Sequence, residues 1–119
     1  ATLLGDGRVL IVGGRGKRNN AEIYDPAASA WTRTPDLAEP RADHSAVLLA
    51  DGRVMITGGM GNRDSVEIYD PETDAWIQIA SMKSSRYRHV SARLDNGAII
   101  VAGGNGVERL LAGTELFAP

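Results

Sequence analysis

Apolar and polar positions along residues 45–90 fall into four short runs. These are "SAVLLA", "RVMITGG", "SVEIYDP" and "AWIQIA". Each is rich in Val, Ile, Tyr or Trp and is stopped by Gly, Pro, Asp or Asn, the pattern of short β-strands. No window of eleven or more residues carries a 3.6-residue period, so no helix is predicted. Asp51-Gly52 separates the first two runs. That pair predicts a two-residue type I′ hairpin turn, with positive φ at both positions. Asn96-Gly97 takes the same place further on.

The same four-run phrase is written more than once. Residues 1–45 set against 46–90 without gaps agree at 21 of 45 positions. The identities include Asp6/Asp51, Gly13/Gly58, Gly14/Gly59, Glu22/Glu67, Tyr24/Tyr69, Trp31/Trp76, Arg41/Arg86 and His44/His89. A third copy, 91–119, keeps Gly103 and Gly104. It gains three residues and closes on "TELFAP", where Glu115 and Phe117 stand for Glu67 and Tyr69. The organisation read from this is repeat 1 over 1–45, repeat 2 over 46–90 and a partial repeat 3 over 91–119 without its outermost strand. A period of 45 residues with four strands per unit is that of an all-β propeller.

The glycine pair ending the second strand, the Tyr of the third and the Trp of the fourth resemble the kelch repeat. Here they are Gly13, Gly14, Tyr24 and Trp31, then Gly58, Gly59, Tyr69 and Trp76, with Gly103, Gly104 and Phe117 in the third copy. The resemblance implies four-stranded antiparallel blades, the first strand innermost and the fourth at the rim. It also implies that Tyr24, Tyr69, Trp31 and Trp76 pack between blades, each burial contributing about 2–3 kcal/mol. The glycines are expected where a side chain would obstruct a neighbour or need unfavourable φ.

Arg41 with His44, and Arg86 with His89, admit two readings. They could hold an anion or a metal. Alternatively each Arg pairs with a carboxylate of a neighbouring blade, Glu22 or Glu67, while each His satisfies a backbone group at the start of an inner strand. Their recurrence points to packing, because a residue repeated in every blade is explained by what every blade shares.

Composition narrows the function little. Of the 119 residues, 43% are hydrophobic and 24% charged, with a formal net charge of -2. Nothing suggests a basic surface for nucleic acid. The longest apolar runs are far too short to cross a bilayer. With no cysteine, a thiolate metal site, a disulfide and a cysteine nucleophile are all excluded within these residues. No metal or cofactor is expected. The chain does not begin with Met, and reads as a processed or excised piece.

The segments that differ between copies are the loops between second and third strands and the links between repeats. They emerge together on one face of an antiparallel blade. They carry Arg15, Lys17, Arg18, Asn19, Asn20, Met60, Asn62, Arg63, Asp64, Arg86, Tyr87, Arg88 and Arg109. Loops on a rigid scaffold commonly hold binding residues. Arg, Tyr and Asn suit acidic peptide side chains or sugars.

Enzymatic roles find less support. Some kelch-like proteins are copper oxidases with a Cys–Tyr crosslink, which a chain without cysteine cannot form. Others act on sialic acid, which keeps a carbohydrate-active or oxidase-type propeller fragment as the alternative. No Ser-His-Asp order, phosphate loop or paired acid cluster is visible. Propellers close at about 4–8 blades, so fewer than three complete repeats need completion. A dimer closing a ring of six, or further blades of a longer chain, would supply it. The expected role is a non-catalytic binding or assembly scaffold with a protein or glycan partner.

Overall fold

The computed structural model describes residues 1–16, 18–61 and 63–118, which form eleven strands and no helix. Strands β1 (Thr2–Leu3), β2 (Val9–Val12), β3 (Ala21–Asp25) and β4 (Ala30–Arg33) make one antiparallel sheet in chain order. Strands β5 (Ser45–Leu48), β6 (Val54–Thr57), β7 (Val66–Asp70) and β8 (Ala75–Ile79) make a second. A third holds β9 (Val90–Arg93), β10 (Ile99–Ala102) and β11 (Thr114–Phe117). The first strands β1, β5 and β9 lie side by side along one line. Ser45 Oγ and Ser91 Oγ meet at 2.5 Å across it. The three sheets fan out from this line as an open arc.

Each interface between sheets is a separate core. Leu4, Leu10, Val12, Ile23 and Leu37 of the first sheet and its link pack on Val54, Ile56, Tyr69 and Trp76 of the second. Met55, Val66, Ile68 and Met82 of the second pack on Ile99, Val101 and Phe117 of the third. The middle sheet is therefore buried on both faces, and every residue of β6 is buried. In β2, which is just as apolar, burial alternates along the strand, because only one face of the first sheet is covered.

The aromatic pairs follow from this stacking. Tyr69 faces Trp76 across the β7–β8 ladder with centroids 5.0 Å apart, and the pair lies against the first sheet. The Trp76 indole N–H donates to the Pro35 carbonyl at 2.9 Å. Tyr24 and Trp31 repeat the geometry at 5.0 Å. They lie on the face of the first sheet that none of the described residues covers, and Trp31 is 56% exposed. The expected packing between blades is thus made by Tyr69 and Trp76 but not by Tyr24 and Trp31 within this chain.

The hairpin turns differ from expectation. Leu4 N–H bonds to the Arg8 carbonyl and Gly7 N–H to the Leu4 carbonyl, so the loop has three residues. Leu49 to Arg53 and Leu94 to Ala98 repeat it. Only the glycine has positive φ, +90° at Gly7 and +89° at Gly52. This is a type I turn followed by a glycine bulge, not a type I′ turn. The preceding side chain explains the choice. Asp51 Oδ1 accepts the Arg53 N–H at 3.1 Å and Oδ2 its Nε–H at 2.8 Å. Asp6 does the same for Arg8. These bonds, the backbone one foremost, hold both carboxyls below their ordinary range.

Candidate functional site

The site is built on two arginine-pinned links. Arg41 is 1% exposed and reaches from the first link into the second sheet. Its Nη2 and Nε donate to Glu67 Oε2 at 2.8 and 3.2 Å. Nη1 donates to the carbonyls of Gly58 and Ser65, at 2.8 and 3.1 Å. The other carboxylate oxygen of Glu67 accepts the Ala38 backbone N–H at 2.7 Å. The second link repeats the device. Arg86 Nε donates to Glu115 Oε2 at 3.3 Å, Nη1 donates to the carbonyls of Gly103 and Gly113, and Lys83 N–H donates to Glu115 Oε1. A buried charge tolerated this way needs its ion partner and its remaining bonds together.

The glycine pairs let the links lie close. A Cβ on Gly13 would stand 2.1 Å from the Arg41 carbonyl oxygen, and one on Gly58 would stand 2.3 Å from that of Arg86. Gly14 and Gly59 donate their N–H groups to those same carbonyls at 2.8 and 2.7 Å. Gly104 is packed against His89 and Tyr87, and Gly103 holds the Arg86 guanidinium through its carbonyl.

His89 stands on this frame. Its Nε2 lies 2.8 Å from the Thr57 hydroxyl, a side-chain partner where a main-chain one was expected. His44 and His89 each keep an Nδ1 that is buried without a hydrogen bond among the described residues. Burial, then the nearby Arg41 for His44 and Arg86 for His89, pushes both imidazoles down to about 4. Both are therefore neutral at pH 7. Among the described residues no group of three or more His, Cys, Asp or Glu side chains could hold a metal ion.

Above the first link, a cleft of 680 Å³ opens on the loop face. It is walled by Arg15 of the first sheet's loop, Met60 and Arg63 of the second's, and Arg88 of the second link. Pro40 and Ala42 add apolar surface. Arg63 Nη1 pairs with Glu39 at 3.1 Å and Arg88 Nε with Asp43 at 3.2 Å. Glu39 also accepts a bond from the Ser65 hydroxyl. Arg15 is exposed and has no ion-pair partner among the described residues. Three arginines against two carboxylates leave the wall positive.

The loop residues singled out from sequence therefore divide. Arg15, Met60, Arg63 and Arg88 converge on the cleft. Arg109 lines a separate recess with Lys83 and Ser84. Arg86 is a correction: at 3% exposure, and held by Glu115 and two carbonyls, it pins the blades and offers nothing to a partner. Asn19 is spent on the Leu37 carbonyl, Tyr87 pairs its backbone with Asn105, and the Asn20 and Asp64 carbonyls accept from Gly13 and Met82. Arg18 is exposed away from the cleft wall. Lys17 and Asn62 lie outside the described residues. Sequence reasoning missed Glu39 and Asp43, which occur in only one copy and so carry no repeat signal.

Comparison with known proteins agrees with this architecture. Residues 40–83 match the model of the Kelch motif. A solved structure titled "Structure of YjhT" superposes with a TM-score of 0.73 at 23% identity, over 87% of this chain and 33% of that one. No curated protein sequence matches the chain. Residues 40–83 thus carry the match to a Kelch motif, and the fold of the chain is that of a β-propeller segment with three sheets. The chain spans about a third of the length of the solved structure it resembles.

Proposed function

We propose that the chain is a non-catalytic binding scaffold, a kelch propeller sector completed by further blades, whose loop-face cleft holds an acidic side chain of a protein partner. The carrying observation is the convergence of Arg15, Arg63 and Arg88, from two blades and a link, around one 680 Å³ cleft with Met60 beside them. A carboxylate entering there meets the guanidinium of Arg15, which has no ion-pair partner among the described residues, and competes with Glu39 and Asp43 for the other two. Charge-assisted bonds to Arg are the strong ones, and Met60 supplies apolar contact for the stem of the same side chain.

Binding of a fluorescent oligo-glutamate peptide, followed by anisotropy, tests the reading. Binding that weakens with salt, and about tenfold further on Arg15→Ala with Arg88→Ala, is expected. A sialylated oligosaccharide that binds where the peptide does not would move the function to glycans. Silence toward both would remove the proposal. Light scattering addresses completion: a monodisperse dimer is the mark of a second copy, and a monomer points to further blades of a longer chain.

A further inference from the structure

The uncovered face of the first blade is a copy of two faces that are covered. Counting back 45 residues from Leu48, Ile56, Glu67, Tyr69 and Trp76 gives Leu3, Ile11, Glu22, Tyr24 and Trp31. The later set is buried or half-buried against the first blade and its link. In the earlier set Leu3 is 64% exposed, Ile11 39% and Trp31 56%. Glu22 is exposed, and its carboxylate has no hydrogen-bond or ion-pair partner among the described residues. Its register neighbour across the ladder is Arg33, which pairs with Asp36 at 3.0 Å.

The two covered faces state what such a face takes. Glu67 receives one arginine and the Ala38 N–H, and Glu115 one arginine and the N–H groups of Lys83 and Ser84, all from the link of the blade before. Four residues before each arginine, Leu37 and Met82 are buried in the adjoining core. The indole of Trp76 is met by a carbonyl of the same link. Neither arginine is free to serve Glu22, because Arg41 is held by Glu67 and Arg86 by Glu115. In a second copy of this chain both would be held in the same way.

We propose that the face formed by Leu3, Ile11, Glu22, Tyr24 and Trp31 is a docking surface for the link of a further blade that brings its own arginine, with Glu22 as the arginine receptor. This rests on the reading that the sector is completed by further blades, and adds the chemistry of the occupant: an apolar residue four positions before an arginine, on an extended segment. Glu22 accepts the guanidinium and a backbone N–H, and the Trp31 indole donates to a carbonyl of the segment.

The test extends the chain with a copy of its own residues 46–90 placed directly before Ala1, which keeps the 45-residue register and sets the grafted Arg86 equivalent against Glu22. Trp76 and its grafted copy are replaced by Phe, so that Trp31 is the sole indole. Acrylamide quenching of Trp31 is expected to fall on extension. Glu22→Gln is expected to lower the folded-to-unfolded ratio of the extended chain by about tenfold or more, while leaving that of the 119-residue chain unchanged. Reversing the pair, Glu22→Arg with the grafted Arg→Glu, should recover part of the loss, and Arg33→Gln should not reproduce it. Shielded Trp31 with equal Glu22→Gln effects in both chains would overturn arginine recognition and leave blade completion standing. An unshielded Trp31 would overturn both. A dimer of the unextended chain that shields Trp31, and weakens on Glu22→Gln, would give the face to a second copy instead.

Discussion

At the scale of single residues, the arginines of the links decide whether the blades stay registered. Arg41 has no exposed side-chain surface and Glu67 has 2%. Removing either partner leaves a buried charge, and Glu67→Gln or Arg41→Met is expected to cost about 3–5 kcal/mol in urea unfolding. The double variant Arg41→Met, Glu67→Leu should cost clearly less than the two single costs added, although the Gly58 and Ser65 carbonyls lose their donor in both. Additive costs would mean that the pair is not coupled. The histidines set the pH response. Both have folded values near 4, below the ordinary 6.5, so the unfolded chain binds the extra protons between these limits. Stability is then complete above pH 6.5 and falls toward pH 4, by on the order of 1–3 kcal/mol per histidine. Thermal melts across this window should flatten on His89→Gln. A slope unchanged on His89→Gln would leave the acid sensitivity to His44, and one unchanged in the double variant with His44→Gln would assign it to carboxylates.

At the scale of elements, the turns between third and fourth strands offer a paired comparison. Ser29 and Asp74 hold the same position, each with φ of 50°, a left-handed conformation that costs a side chain about 1 kcal/mol or more. Ser29→Gly should therefore stabilise the first blade by up to about 1 kcal/mol. Asp74→Gly should destabilise, because Asp74 Oδ1 accepts the Tyr69 hydroxyl at 2.6 Å. The same sign for both in denaturant melts would contradict this account. The strands themselves were readable from their apolar runs, and the repeat gave the blades. Turn type was not. Asp51-Gly52 points to a two-residue turn by its residue types, and only the Asp51 bonds to Arg53 select the longer loop. The cleft was half readable. Its loops were legible as variable segments, and the repeat sets Arg86, which recurs as Arg41, apart from Arg88, which stands opposite Asp43, without saying what buries the one and not the other. That difference is made by Glu115, which sits 29 residues further along the chain.

At the scale of the whole molecule, three sheets in a row have unequal surroundings, and stability should follow. The middle sheet has a core on each side, whereas the first and third each have one. All four residues of β4 are exposed, and β11 is an edge with Leu116 67% exposed. In a stack of repeats, stability is close to a sum of unit terms and nearest-neighbour interfaces. The outer sheets therefore open by losing one interface, and the middle one only by losing two. Native-state hydrogen exchange should show the slowest amides in Val54–Thr57 and Val66–Tyr69, with β4 and β11 exchanging first. The gap in opening free energy should be at least about 2 kcal/mol, since a single core aromatic or branched side chain contributes that much by burial. Covering the first sheet with a further blade should raise protection in β2 and β3 more than in β10, because only nearest neighbours communicate. Uniform protection across all three sheets would mean that the sector unfolds as one unit. It would then need no flanking blade to hold its outer sheets.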